Sequence, residues 1–219
     1  FADGGSYVAE ATPKDGTAQS YTSISEAVSA AGEGGTVKLL NDITSPEETA
    51  VVIKLPANAT LDGDGATLSG NVCVEIDAAG GTVKNVNFKN IHNISTLNEN
   101  EAWYGFKDKV GKLTAVYAGS LTGTANIMNC TFDNVDWDAI QSTPKEGATI
   151  NITGNTFRTT GSIEPVRYIH VQSAKNVDFS ANITNNEIYD GSKLNQTGFE
   201  IYYFADPEKV NLSGNYIAE

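Results

Sequence analysis

Asp136 and Asp138 stand two residues apart in Asn134-Val135-Asp136-Trp137-Asp138-Ala139-Ile140. In a strand that spacing places both carboxylates on one face, where they could act as an acid and a base. Arg167, His170 and Glu200 are the residues that could join them: a cation for a substrate carboxylate, an imidazole to carry a proton, and a further carboxylate. Each also has an ordinary structural role. The two aspartates fit polar turn positions, and an arginine at a strand edge more often makes a surface ion pair. Asp62-Gly63-Asp64-Gly65 lacks the later ligands and the bidentate glutamate of a calcium loop, so a tight turn is expected there. The chain shows no nucleotide loop, no His/Cys metal set and no recognisable Ser/His/Asp motif, so neither cofactor nor metal is expected.

Other residues suit binding rather than bond-breaking. If Val116, Ile140, Ile169, Val171, Phe199 and Ile201 point inward, strand alternation turns Tyr117, Gln141, Tyr168, His170, Gln172, Glu200 and Tyr202 outward. Aligned in one stripe, such aromatic, amide and carboxylate groups suit a glycan: sugar C–H faces pack on rings while hydroxyls bond to the edges. The alternative is that they decorate a flat sheet or pack beneath a loop. Asn93 to Lys112 is a candidate for that loop, with Trp103, Tyr104 and Phe106 among its residues. It could roof the stripe or anchor itself to the helix side.

The elements that must position these groups follow from a repeated phrase. It reads Val83-Lys84-Asn85-Val86-Asn87-Phe88, then Ile127-Met128-Asn129-Cys130-Thr131-Phe132 and Ile152-Thr153-Gly154-Asn155-Thr156-Phe157. Ile183-Thr184-Asn185-Asn186-Glu187-Ile188 and Leu212-Ser213-Gly214-Asn215-Tyr216-Ile217 complete the series. Self-similarity of this kind means that one unit is stacked, each copy burying its apolar edge on its neighbours. Asn or Gly in the phrase tolerates the positive φ of a sharp turn, and stacked Asn amides can bond in ladders. The 44 residues from Phe88 to Phe132 fit two small turns or one turn carrying a loop. A second strand series follows in register: Ala115-Val116-Tyr117, Ala139-Ile140-Gln141, Tyr168 to Gln172 and Phe199 to Tyr203. Several short strands per repeat make a coil that climbs one sheet spacing each time round, a parallel β-helix.

Residues 1–20 read as an irregular lead-in. Ser23 with Glu26 has capping-box spacing, Ile24, Ala27, Val28 and Ala31 share a face, and Gly32 supplies a stop, which predicts a short helix at 23–31. One β-helix domain over 1–219 is therefore expected, with lead-in and N-terminal cap at 1–35, coils over 36–219 and an insertion near 93–112.

Net charge is −13, from 27 acidic and 14 basic residues. That balance argues against a nucleic-acid partner, which needs a basic patch, and against an anionic membrane surface. No apolar run is long enough to span a bilayer as a helix. The chain opens at Phe1 without a leader and stops two residues after the last phrase, so a processed segment with further domains of the same polypeptide is expected. Cys73 and Cys130 form no metal pattern; Cys130 reads as a small buried thiol, and a disulfide between the two is disfavoured.

At these residues the chain resembles the pectin-lyase-like, right-handed parallel β-helix superfamily over about residues 20 to 219. Its opening, a helix followed by Gly34-Gly35-Thr36-Val37 and Leu39-Leu40-Asn41-Asp42-Ile43, is similar to the N-terminal cap of bacterial surface β-helix proteins. Leu61-Asp62-Gly63-Asp64-Gly65-Ala66-Thr67-Leu68 resembles an early coil of the same superfamily. The resemblance implies a fold more than a chemistry, because lyases, hydrolases, tailspikes and non-catalytic adhesins all share it. Polygalacturonase-type members carry Gly-His-Gly and Arg-Ile-Lys, yet His170 lies between Ile169 and Val171 and no Arg-Ile-Lys occurs. Pectate lyases use an acidic calcium cluster with a cationic base; Arg158 or Arg167 could be that base, but no such acidic group recurs beside either.

The reading is a non-catalytic carbohydrate- or host-surface-binding module of a secreted or cell-surface bacterial protein. A polysaccharide lyase or glycoside hydrolase using Asp136, Asp138, Arg167, His170 or Glu200 is the alternative. A structural spacer in a larger surface protein is the third reading.

Overall fold

In the computed structural model the repeated phrase bends the chain at its third position. There Asn85, Asn129 and Asn185 take φ of 55°, 53° and 54°, and Gly154 and Gly214 take 69° and 74°. Only residues that tolerate the left-handed region fill this position cheaply, which explains why the phrase alternates Asn and Gly there and nothing else. The structure describes residues 6–46, 51–91, 114–161, 165–174, 176–189, 199–202 and 209–218.

Between these bends the chain forms short strands in three sheets. The first sheet has the order β2 (Gln19–Tyr21), β1 (Ala9–Thr12), β3 (Thr36–Leu39), β6 (Thr60–Asp62), β9 (Gly80–Lys84), β12 (Thr124–Met128), β15 (Thr149–Thr153), β18 (Ser180–Thr184) and β21 (Val210–Asn211). The second runs β4 (Ile43–Ser45), β7 (Thr67–Gly70), β10 (Asn87–Ile91), β13 (Thr131–Val135), β16 (Thr156–Arg158), β19 (Glu187–Ile188) and β22 (Tyr216–Ile217). The third runs β5 (Val51–Lys54), β8 (Val72–Glu75), β11 (Thr114–Leu121), β14 (Trp137–Pro144), β17 (Pro165–Gln172) and β20 (Phe199–Tyr202). From β3 onward successive strands visit the three sheets in turn, and each pairs in parallel with the strand three places on. That is an all-β parallel solenoid. Because β10 pairs directly with β13, the 44-residue gap is one turn carrying extra residues between β10 and β11. Most of those residues, the expected loop at 93–112 included, lie outside the described part of the chain.

The core is a set of axial columns. Val37, Leu61, Val83, Ile127, Ile152 and Ile183 are matched rung by rung in the first sheet, all of them fully buried. In the second, Phe88 stacks on Phe132 at 4.9 Å and Phe132 on Phe157 at 5.0 Å, with the rings within 6° of parallel. Each such pair adds about 0.5–1.5 kcal/mol beyond area burial.

A polar column runs beside the phenylalanines. The Asn186 side chain accepts from the Asn155 backbone N–H at 2.9 Å, Asn215 accepts from that of Asn186 at 3.0 Å, and Asn155 accepts from the Cys130 N–H at 2.9 Å. Their amide groups donate back to Ile127, Ile152 and Ile183 carbonyls, so each buried amide satisfies backbone that the turn leaves unpaired. Cys130 starts the ladder as the small buried thiol the sequence suggested, and Cys73 is likewise buried and outside any disulfide.

The N-terminal end differs from the irregular lead-in expected at 1–20. β1 pairs antiparallel with both β2 and β3, closing the first edge of the parallel stack. Ala9 and Ala11 are too small to announce a strand, yet smallness lets them lie under helix α1 (Ile24–Ala31), whose Ala27, Val28 and Ala31 are buried. The Ser23 side chain caps α1 by accepting from the Glu26 N–H at 3.4 Å. Gly35 follows because a Cβ there would sit 2.1 Å from the Ala31 carbonyl oxygen. No helix among the described residues is long and apolar enough to cross a membrane.

Candidate functional site

The third sheet carries the residues singled out for chemistry. Its register places Lys54, Glu75, Tyr117, Gln141, His170 and Glu200 in one axial column, and Gln172 beside Tyr202. The alignment expected for Tyr117, Gln141, His170 and Glu200 is therefore present in the backbone. The side chains of Glu200 and Tyr202 lie outside the described residues.

Exposure differs from an open stripe. Gln141 and His170 are each only 3% exposed, Tyr117 is half-buried, and Gln172 is exposed. Strands of the first sheet alternate buried and half-buried residues, as in β15 and β18, whereas β14 is buried at every described position but Thr143 and β11 is buried at Thr114, Ala115 and Val116 in succession. A sheet buried on both faces loses the polar alternation that marks a solvated one. Burial pushes the Tyr117 phenol up in pKa, against a hydrogen bond with Thr143 that lowers it. Gln141 keeps its Oε1 buried without a hydrogen-bond partner.

Tyr168 departs furthest from its expected outward position. It is fully buried, its ring 5.4 Å from that of Phe157 and its hydroxyl 2.9 Å from Thr159 Oγ1. The cause is local. Trp137 pairs with Pro165 but Asp138 with Arg167, so β17 holds one extra residue, Val166, at its start. A bulge of this kind breaks alternation and re-aims the side chains around it.

The same bulge brings three candidate residues together. Asp138, fully buried, accepts from Arg167 Nε at 2.9 Å through Oδ1 and from Arg167 Nη2 at 3.3 Å through Oδ2. His170 Nδ1 lies 3.1 Å from the same Oδ2. An ionised carboxylate between a guanidinium and an imidazole is a charge-assisted cluster; it orients the histidine and holds the aspartate in its acceptor role. Asp136 precedes β14. It occupies the corner between β13 and β14, its backbone N–H donating to the Ile91 carbonyl at 2.8 Å, so the two carboxylates are not neighbours along one regular strand.

A second buried carboxylate was not selected from the sequence. Asp133 accepts from Arg158 Nε at 3.2 Å and from the Thr160 N–H and hydroxyl at 3.1 and 2.8 Å. The available signal was phase: Asp133 and Arg158 each follow the phenylalanine that closes a phrase, and stacking sets them side by side. Past the ends of β14 and β17 lies an open cleft of about 260 Å3 lined by Thr143, Pro144, Lys145, Gln172, Ser173 and Ala174. It is open, of mixed polarity, and Tyr117 stands beside it through its hydrogen bond with Thr143. No group of three or more His, Cys, Asp or Glu side chains that could hold a metal is gathered among the described residues. Comparison with family models, with curated proteins and with solved structures finds no match to this chain.

Proposed function

We propose that this chain is a non-catalytic binding module of a secreted or cell-surface bacterial protein, built on a right-handed coil of the pectin-lyase-like kind, and that it takes carbohydrate at the cleft beside Tyr117. The handedness rests on the general rule that crossovers returning to a parallel sheet are right-handed. The observation that carries the function is the commitment of Asp138: both of its oxygens are engaged by buried partners, and among the described residues no second carboxylate shares its hydrogen bonds. Acid–base cleavage of a glycosidic bond needs two carboxyl groups flanking a sugar. At this end of the third sheet the exposed Gln172 and Lys145 line the cleft and the half-buried Tyr117 stands beside it, which suits recognition of hydroxyls.

The test is affinity electrophoresis or calorimetry against a glycan panel, with wild type beside Tyr117→Ala/Gln172→Ala. Retention by the wild type and its loss in the double variant, at an unchanged melting temperature, supports the cleft. Equal retention by both removes it.

A polysaccharide-degrading activity is the second reading, favoured by the Asp138–His170 hydrogen bond, which prepares an imidazole for proton transfer. Chain shortening of any polysaccharide in the panel, abolished by His170→Ala, would establish it. A chain that neither retains nor shortens any glycan is a structural spacer.

A further inference from the structure

The buried asparagine ladder has a direction. Asn155, Asn186 and Asn215 each turn the side chain back one rung, where Oδ1 accepts from the backbone N–H of Cys130, Asn155 and Asn186 in turn. Each amide also donates back, to the carbonyls of Ile127, Ile152 and Ile183 at 2.9, 2.9 and 2.7 Å. The fourth position of one phrase is thus completed by the fourth position of the next. Backbone bonds between rungs follow the same order. The N–H groups of Asn129, Gly154 and Asn185 donate to the Thr153, Thr184 and Ser213 carbonyls, one rung on. The carbonyls of Asn155 and Asn186 accept from Glu187 and Tyr216, and those of Phe157 and Ile188 from Tyr189 and Ala218.

The last described rung presents the same groups and, among the described residues, meets no rung beyond it. The N–H groups of Gly214 and Asn215 and the carbonyls of Asn215 and Ile217 hold the places that the following rung completes elsewhere. The Leu212 carbonyl, in the place of Ile183, takes the Asn215 amide of its own rung at 2.8 Å. Leu212 and Ile217 are exposed, whereas Ile183 and Ile188, one rung earlier in the same columns, are buried. A backbone edge together with apolar side chains is what an added strand covers. The opposite end differs, because β1 pairs antiparallel with β3 and α1 packs on it. The interface repeated inside the stack therefore specifies what fits its open end. We infer that the end formed by β21 and β22 is a strand-addition site for a polypeptide segment carrying this chain's own phrase, apolar-x-Asn/Gly-Asn-x-apolar. The fourth-position asparagine of that segment accepts from the Asn215 N–H and donates to the Leu212 carbonyl, while its two apolar residues cover Leu212 and Ile217. A folded second copy is not that segment: its inner phrases are built into the stack, and its last has the asparagine turned back into its own rungs. The site is separate from the cleft beside Tyr117 and acts whether or not that cleft takes sugar.

The experiment is an NMR titration of backbone amide shifts with a synthetic peptide of residues 149–158, which carries Ile152-Thr153-Gly154-Asn155-Thr156-Phe157. The comparison peptide is the same sequence with Asn155→Ala. Shifts are expected at Val210, Asn211, Gly214, Asn215 and Ile217, with the amides of β1 and α1 unmoved. The alanine peptide should bind at least about tenfold more weakly, because it can neither accept from Asn215 nor donate to Leu212. Ile217→Lys in the protein, at an unchanged melting temperature, should weaken the native peptide by at least about tenfold as well, since it sets a charge against the incoming apolar residue. Should that variant fold poorly, the two peptides against wild type still decide. The inference is overturned if β21 and β22 show no shifts, if both peptides bind alike, or if the shifts gather elsewhere. Concentration-dependent dimerisation without peptide, centred on the same amides, would reassign the end to a second copy and equally overturn it.

Discussion

Asp138 has no exposed surface and is held by the Arg167 guanidinium beside the His170 ring, so changes there have a large electrostatic effect. Replacing it with alanine takes one carboxylate away from the buried Arg167, and loss of one partner from a buried ion pair costs about 3–5 kcal/mol. Asp138→Ala should therefore lower the urea midpoint sharply, whereas Lys54→Ala, which removes an exposed pair with Glu75, should leave it nearly unmoved. The cysteines give a second residue-scale expectation. Burial pushes the Cys130 thiol up to about 12 and raises Cys73 as well, so at pH 8 neither supplies thiolate. Native protein should stay unmodified by a thiol-disulfide reagent at that pH and react at both positions once unfolded in urea. Asp138, Arg167 and His170 were all legible as chemical types in the sequence. Their meeting was not, because it depends on one extra residue, Val166, that shifts β17 against β14, and nothing in the local pattern marks a bulge.

At the level of the element, the phrase explains itself through its third and fourth positions. Gly154 has φ of 69° and would place a Cβ 2.7 Å from Asn129 Oδ1. Gly154→Ala should destabilise by about 1–2 kcal/mol, since a left-handed residue with a Cβ costs that much. Gly154→Asn should cost less, because Asn85, Asn129 and Asn185 hold the same turn elsewhere; thermal melts of the pair check the order. Asn186 is fully buried and makes four hydrogen bonds along its ladder, so Asn186→Ala strands polar groups on both neighbouring turns. A loss of at least about 2 kcal/mol in equilibrium unfolding is expected. The same phrase made the coil readable in advance, because a turn residue and an apolar residue recur in fixed phase. β1 and β2 escaped that reading, since they pair antiparallel, occur once and carry Ala9 and Ala11 in place of branched residues.

Over the whole molecule, stability is a sum over rungs that touch only their neighbours. The two ends are unequal. The N-terminal end is closed by β1, β2 and α1, while the last rung exposes Leu212, Tyr216 and Ile217 at 48%, 57% and 58%. Hydrogen exchange should therefore be fastest in β21 and β22 and slowest in β12, β13 and β15, with a gradient between them rather than one uniform rate. Uniform protection along the chain would show a single cooperative unit and contradict the additive picture. One further consequence follows from the first sheet. Turns of 25, 31 and 29 residues separate Phe132, Phe157, Ile188 and Ile217, yet β12, β15 and β18 match residue for residue. The second sheet keeps the same phase, Phe132 on Phe157, Phe157 on Ile188 and Ile188 on Ile217, so the differences in turn length fall between the second sheet and the return to the first. Two sides of the molecule are thereby a fixed ruler while the third is free to vary, so inheritance can lengthen, shorten or redecorate that part of each turn without disturbing the pattern the other two display.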